Sequence, residues 1–124
     1  MQVTIYHNPN CGTSRNALAA IRMAGFEPRI VDYMKTPPTR DELKDLVVRM
    51  NRTVRSIVRK QEPLFRELRL DERDVGEDEL LDAMIENPVL INRPIVVTDH
   101  AVCLCRPSER VKEMLAQEIA KTPH

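Results

Sequence analysis

The chain has 124 residues, enough for one core of ordinary domain size. Its 19 basic and 19 acidic side chains cancel, and 42% hydrophobic with 31% charged residues excludes a polar, disordered chain. Zero net charge argues against a nucleic-acid coat, which needs many Lys and Arg contacts to phosphate. Two Tyr, two Phe and no Trp argue against a base-stacking platform. No apolar run approaches the roughly 20 residues that cross a bilayer. The opening Met1-Gln2-Val3-Thr4-Ile5-Tyr6 lacks a basic segment followed by an apolar one, so no secretion signal is expected. Cys11, Cys103 and Cys105 make an odd count unsuited to a disulfide framework, which points to free thiols in a reducing, cytoplasmic compartment. Their spacing is not that of a zinc module, so no metal is expected.

In chain order, Val3, Ile5 and His7 alternate with Thr4 and Tyr6 up to Asn8-Pro9-Asn10, which reads as a strand ending in a turn. A helix is predicted over 13–24, with Leu18, Ile21 and Ala24 along one side and Gly25 at its C-terminus. A second strand follows over 29–33, making a βαβ opening that favours a parallel pair. Pro37-Pro38 forces a break. Thr39-Arg40-Asp41-Glu42 has capping-box spacing, with Thr39 serving one orphan amide and Glu42 reaching back to another. Leu43, Leu46, Val47 and Met50 continue it as a half-buried helix. From 53 to 84 short helical patterns recur without a strand candidate. Pro94-Ile95-Val96-Val97-Thr98, a tight turn at Asp99-His100 and a returning strand over 101–105 read as a hairpin. A last helix is predicted from about 107 to 120, with Val111, Leu115 and Ile119 as its inner stripe. The order β-α-β, helical insertion, β-β-α predicts an α/β thioredoxin-like fold with a mixed four-stranded sheet. The chain 1–124 is expected to be one such domain, with the insertion at about 39–88.

Chemistry concentrates at the first turn. Cys11 lies where a helix N-terminus offers unpaired amides and about half a positive charge, which pushes a thiol toward thiolate. The amides of Gly12, Thr13 and Ser14 can hold an oxyanion. The Ser14 hydroxyl can add a donor to the sulfur, and a protonated His7 can lower its pKa further. Against this stands the ordinary fate of a free Cys, a small buried hydrophobe, and of a strand-end His, simple packing. Arg93-Pro94 and Arg106-Pro107 place two cations at strand boundaries, and the first proline is a candidate for a cis bond. Arg106 at the start of a helix opposes the dipole, which an anion partner would explain and a surface ion pair also could. Arg49, Arg52, Arg55, Arg59 and Lys60 form a basic cluster read mainly as solvated or paired surface. Cys103 and Cys105 share a strand face; both are read first as core thiols, with a position near Cys11 left open.

Five blocks go beyond pattern. They are Ile5-Tyr6-His7-Asn8-Pro9-x-Cys11-Gly12-Thr13-Ser14-Arg15-Asn16, Pro37-Pro38-x-Arg40-Asp41-Glu42-Leu43, Val58-Arg59-Lys60, Leu90-Ile91-Asn92-Arg93-Pro94-Ile95-Val96-Val97-Thr98 and Leu104-Cys105-Arg106-Pro107-Ser108-Glu109. Together they resemble the glutaredoxin-dependent arsenate reductases, the ArsC type. Around Gln61-Glu62-Pro63-Leu64-Phe65 the match loosens and is one residue shorter. The resemblance implies that Cys11 is the catalytic cysteine and that Arg59, Arg93 and Arg106 bind the oxyanion. It implies that His7 and Ser14 stabilise the thiolate. The implied partners are arsenate, glutathione as co-substrate and glutaredoxin, with no tightly bound cofactor, in a cytoplasmic monomer. Position 14 is Ser, so no local resolving thiol exists, and position 17 is Ala, which excludes the Cys-x5-Arg loop of phosphatase-like reductases. The alternatives are a redox-responsive Spx-type regulator contacting RNA polymerase, and a thiol reductase of the same fold acting on another electrophile.

Overall fold

The computed structural model describes residues 2–72 and 74–121. In chain order the elements are β1 (Thr4–His7), α1 (Gly12–Met23), β2 (Arg29–Asp32), α2 (Arg40–Arg49), α3 (Val54–Ile57), α4 (Pro63–Glu67), α5 (Glu77–Glu86), a 3-10 turn at Pro88–Leu90, β3 (Ile95–Val97), β4 (Val102–Leu104) and α6 (Arg110–Lys121). They fall into two compact units: Met1–Thr36 with Arg93–His124, and Pro37–Asn92.

The first unit holds one four-stranded sheet in the order β2-β1-β3-β4. β1 pairs parallel with β2, Thr4 opposite Arg29 and His7 opposite Asp32. β3 runs antiparallel to β1, with Tyr6 opposite Ile95, and β4 antiparallel to β3, with Val96 opposite Cys103. This is the mixed sheet of the thioredoxin-like fold. The period-two pattern of β1 buries Ile5 and His7, while the period of α1 buries Ser14, Ala17 and Ile21. Ile5, Ala17 and Ile21 meet Val111, Met114 and Leu115 of α6 in one apolar cluster that also holds Val3, Val96 and Cys105. Fully burying a side chain such as Ile21 contributes about 1.5–3 kcal/mol.

The end of α1 is a Schellman motif. Phe26 N–H donates to Ile21 O and Gly25 N–H to Arg22 O, with Gly25 at φ +95°. Two expectations for α6 change. Residues 107–109 form a tight turn, with Arg110 N–H bonded to Pro107 O and Val111 N–H to Ser108 O, and the helix proper starts at Arg110. The inner stripe is Val111, Met114, Leu115 and Glu118, whereas Ile119 is 42% exposed. Glu118 takes the inner place because Thr98 Oγ1 donates to it at 3.0 Å and His100 Nδ1 lies 2.7 Å away. A carboxylate so partnered is tolerated where an unpaired one is not.

In the second unit Thr39 caps α2, accepting from Glu42 N–H at 3.2 Å. The Glu42 carboxylate takes the Thr39 hydroxyl rather than a backbone amide. Leu43, Leu46 and Val47 of α2 are buried, as are Leu80, Leu81 and Met84 of α5. Val58 and Ile91 form an isolated antiparallel bridge, extended by Arg59 N–H to Leu90 O at 2.7 Å and Asn92 N–H to Ile57 O at 2.9 Å. Among the described residues no helix is long and apolar enough to cross a membrane.

Candidate active site

β1 ends at His7, and the chain turns through Asn8-Pro9-Asn10 before α1 begins. The turn is fixed by Asn8, whose Oδ1 accepts from Asn10 N–H at 3.0 Å and whose carbonyl accepts from Cys11 N–H at 3.0 Å. Arg15 Nη1 closes the loop from the helix side, donating to Pro9 O at 2.9 Å. Cys11 is therefore the N-cap of α1, in extended conformation at φ −101° and ψ 121°. Its sulfur makes no full capping hydrogen bond, but it faces the amide end of the helix.

Two arginines from the far end of the chain arrive at this sulfur. β3 lies next to β1, which brings Arg93 to the cysteine turn, and β4 returns beside β3 to deliver Arg106. Arg106 Nη1 donates to Cys11 Sγ at 3.7 Å and to Arg93 O at 2.8 Å. Both Arg93-Pro94 and Arg106-Pro107 are cis. Arg106 precedes α6 by four residues, so the sulfur and a carbonyl, not the helix dipole, are its local partners. Arg93 is 9% exposed.

The Cys11 thiol is held at about 7. Burial works against ionisation, but the Ser14 amide, hydrogen bonds from Arg93 and Arg106, and the Arg93 charge outweigh it. The thiolate is thus abundant near neutral pH, poised to attack an electrophile, with amides and guanidinium groups beside it to receive an oxyanion.

His7 and Ser14 stand behind the cysteine in an arrangement the sequence did not disclose. His7 Nδ1 and Ser14 Oγ are 2.6 Å apart, and the same hydroxyl accepts from Asn8 N–H at 3.1 Å. The Ser14 hydroxyl is thus held by His7 and Asn8, while its backbone amide is the group that lowers the Cys11 pKa. Burial lowers the His7 pKa, Asp32 opposes that, and Arg15 and Arg22 add to the lowering, so the fold disfavours the protonated ring. Arg59 lies in the second unit, where its guanidinium faces Glu62 at 3.3 Å. Asn8, Arg15 and Asp32 were missed as contributors. The register that sets Asp32 opposite His7 is the signal that would have found one of them. Some of the surface charge is paired, as in Arg40 with Asp78 and Asp82 and Arg22 with Glu27. Among the described residues no group of three or more His, Cys, Asp and Glu side chains is placed to hold a metal ion.

With this geometry in place, the profile of the ArsC family matches residues 6–114. The chain belongs to the ArsC family. Its relatives in that family include the arsenate reductase of Rhizobium meliloti strain 1021, 53% identical over 93% of this chain and 82% of that one. The arsenate reductase of Escherichia coli strain K12 is 54% identical over 91% and 80% of the two chains. A solved arsenate reductase from Vibrio cholerae superposes with a TM-score of 0.88 at 41% identity, covering 91% of this ArsC chain and 97% of that one.

Proposed function

We propose that this protein is an arsenate reductase in which the Cys11 thiolate attacks arsenic(V). The observation that carries the reading is the convergence of Arg93 and Arg106 on a thiol held at about 7. An arsenate oxyanion near this sulfur meets two fixed positive charges and the first amides of α1, which position it and stabilise charge developing on its oxygens. Arg59 enters as a third oxyanion ligand through its sequence resemblance alone.

In the first step the sulfur forms a bond to arsenic, and one arsenate oxygen leaves as water or hydroxide. No electrons move yet. One thiol supplies only part of a two-electron reduction, and position 14 is Ser, so the next thiol comes from outside. Glutathione attacks the adduct; the two sulfurs join as a Cys11–glutathione mixed disulfide while arsenic takes two electrons and leaves as arsenite. Glutaredoxin then reduces the mixed disulfide by thiol–disulfide exchange and restores Cys11. Such a cycle needs no resident metal or organic cofactor and suits a monomer in the reducing cytoplasm.

A steady-state assay with arsenate, glutathione and glutaredoxin tests the reading. Wild type turns over and Cys11→Ala does not. Undiminished turnover in Cys11→Ala overturns it, and tight RNA polymerase binding without arsenate turnover would place the protein with the regulators instead.

A further inference from the structure

A groove of about 480 Å³ in the first unit plays no part in the chemistry above; its lining includes Ala101, Cys103, Pro107, Arg110, Glu113 and Met114. Cys103 on β4 and Cys105 just beyond its end are two residues apart and pack on the same apolar cluster. Cys105 is fully buried in the apolar cluster, and Cys103 packs against that cluster while remaining half-buried at the groove. Cys105 Sγ lies against the backbone of Cys103, donating to Cys103 O at 3.8 Å, and the Cys103 side chain is near enough to raise the Cys105 pKa. Cys103 Sγ donates to Leu104 O at 3.5 Å.

We propose that Cys103 and Cys105 form a dithiol site for trivalent arsenic, binding one molecule of arsenous acid at the inner wall of this groove. The inference rests on the arsenate-reducing reading for the source of that ligand. The reaction is a condensation. Two As–S bonds form, two As–O bonds and two S–H bonds break, and each departing hydroxyl leaves as water with one thiol hydrogen. Arsenic stays trivalent, neither sulfur is oxidised, and no electron acceptor is needed.

Coordination number selects this ligand over a soft divalent cation. Such a cation takes about four ligands, and among the described residues no group of three or more His, Cys, Asp and Glu side chains is placed to hold one. The buried Cys105 thiol strongly resists ionisation, pushed up by the Cys103 side chain and by burial. Arsenous acid asks for no thiolate in the product, because the displaced protons depart within neutral water. The half-buried Cys103 offers the first attachment point from the groove, and Cys105 the second beside it. The one hydroxyl left on arsenic has the groove, with Arg110 and Glu113 along it, for polar surroundings.

The test adds sodium arsenite to Cys11→Ser protein, which removes the active-site thiol, and reads intact mass together with arsenic X-ray absorption. One arsenic per chain is expected, with two sulfur neighbours and loss of two waters on binding. Binding is lost in the Cys11→Ser/Cys103→Ser protein, whose second change lies at the groove edge and spares the buried Cys105. Cadmium ion at the same concentration does not bind. Absence of arsenic from Cys11→Ser protein, or its retention after Cys103→Ser, overturns the proposal. Arsenate turnover by Cys103→Ser protein with Cys11 intact is read separately. If wild type binds arsenite at this dithiol but never reduces arsenate, the functional reading fails while the binding site stands.

Discussion

At Cys11 three kinds of group compete over one proton. Burial favours the thiol, while the Ser14 amide and the two guanidinium groups favour the thiolate, and the second set wins. The rate of Cys11 alkylation by iodoacetamide should therefore rise with pH through a midpoint of about 7. Arg106→Ala removes a donor 3.7 Å from the sulfur and moves that midpoint upward; an unmoved midpoint contradicts the role given to Arg106. Since the folded pKa lies below the ordinary thiol value, ionisation of Cys11 adds stability at alkaline pH that is lost as pH falls through about 7. Ser14 separates two functions within one residue. Ser14→Ala keeps the amide that acts on Cys11 but leaves His7 Nδ1 and Asn8 N–H without their buried partner. It should cost about 1–3 kcal/mol in urea unfolding and shift the alkylation midpoint less than Arg106→Ala does. A larger pKa shift than in Arg106→Ala would mean that the hydroxyl, not the amide, governs the thiol.

Among the elements, those with strong periodicity and local stop signals were legible in the sequence. β1 alternates and ends at Asn-Pro-Asn, and α1 ends at a glycine whose positive φ closes a Schellman motif. An added Cβ at Gly25 meets nothing within 4 Å, so Gly25→Ala carries only the backbone penalty. That penalty is roughly 1–2 kcal/mol, read as a lower urea midpoint with unchanged slope. What the sequence hid depends on partners far along the chain. Ile119 looked like the inner residue of α6 because it is apolar and correctly spaced, yet Glu118 is inside, its side chain 2% exposed. Thr98 and His100, which make that burial possible, lie some twenty positions upstream, where no local pattern connects them to α6. The partners of the Ser14 hydroxyl were hidden for the same reason: His7 and Asn8 meet it only once strand and helix are packed. Despite its burial, the Glu118 carboxyl is held below its ordinary value by His100 and Thr98. Its contribution is therefore present above about pH 4.5 and is lost as pH falls below that. Thermal midpoints measured from pH 3 to 7 should fall less steeply in Glu118→Gln than in wild type. Parallel curves would show that Glu118 does not carry this acid dependence.

For the whole molecule, zero net charge leaves room for the proposed anion chemistry because charge is placed, not accumulated. Arg93 and Arg106 are remote from Cys11 in sequence, and the strand order β2-β1-β3-β4 is what makes them neighbours. The cysteine turn could be read from residues 6–15 alone. The role of the arginines needed either the topology or a resemblance, since an arginine before a proline is by itself ordinary. The proposed mechanism takes Cys11 through an arsenic adduct to a glutathione mixed disulfide. Intact-mass and peptide analysis after one turnover with arsenate and glutathione, glutaredoxin omitted, detects that disulfide. One glutathione per chain is expected, on Cys11 and only when arsenate is present; glutathione on Cys103 or Cys105 instead, or on Cys11 without arsenate, rules the mechanism out.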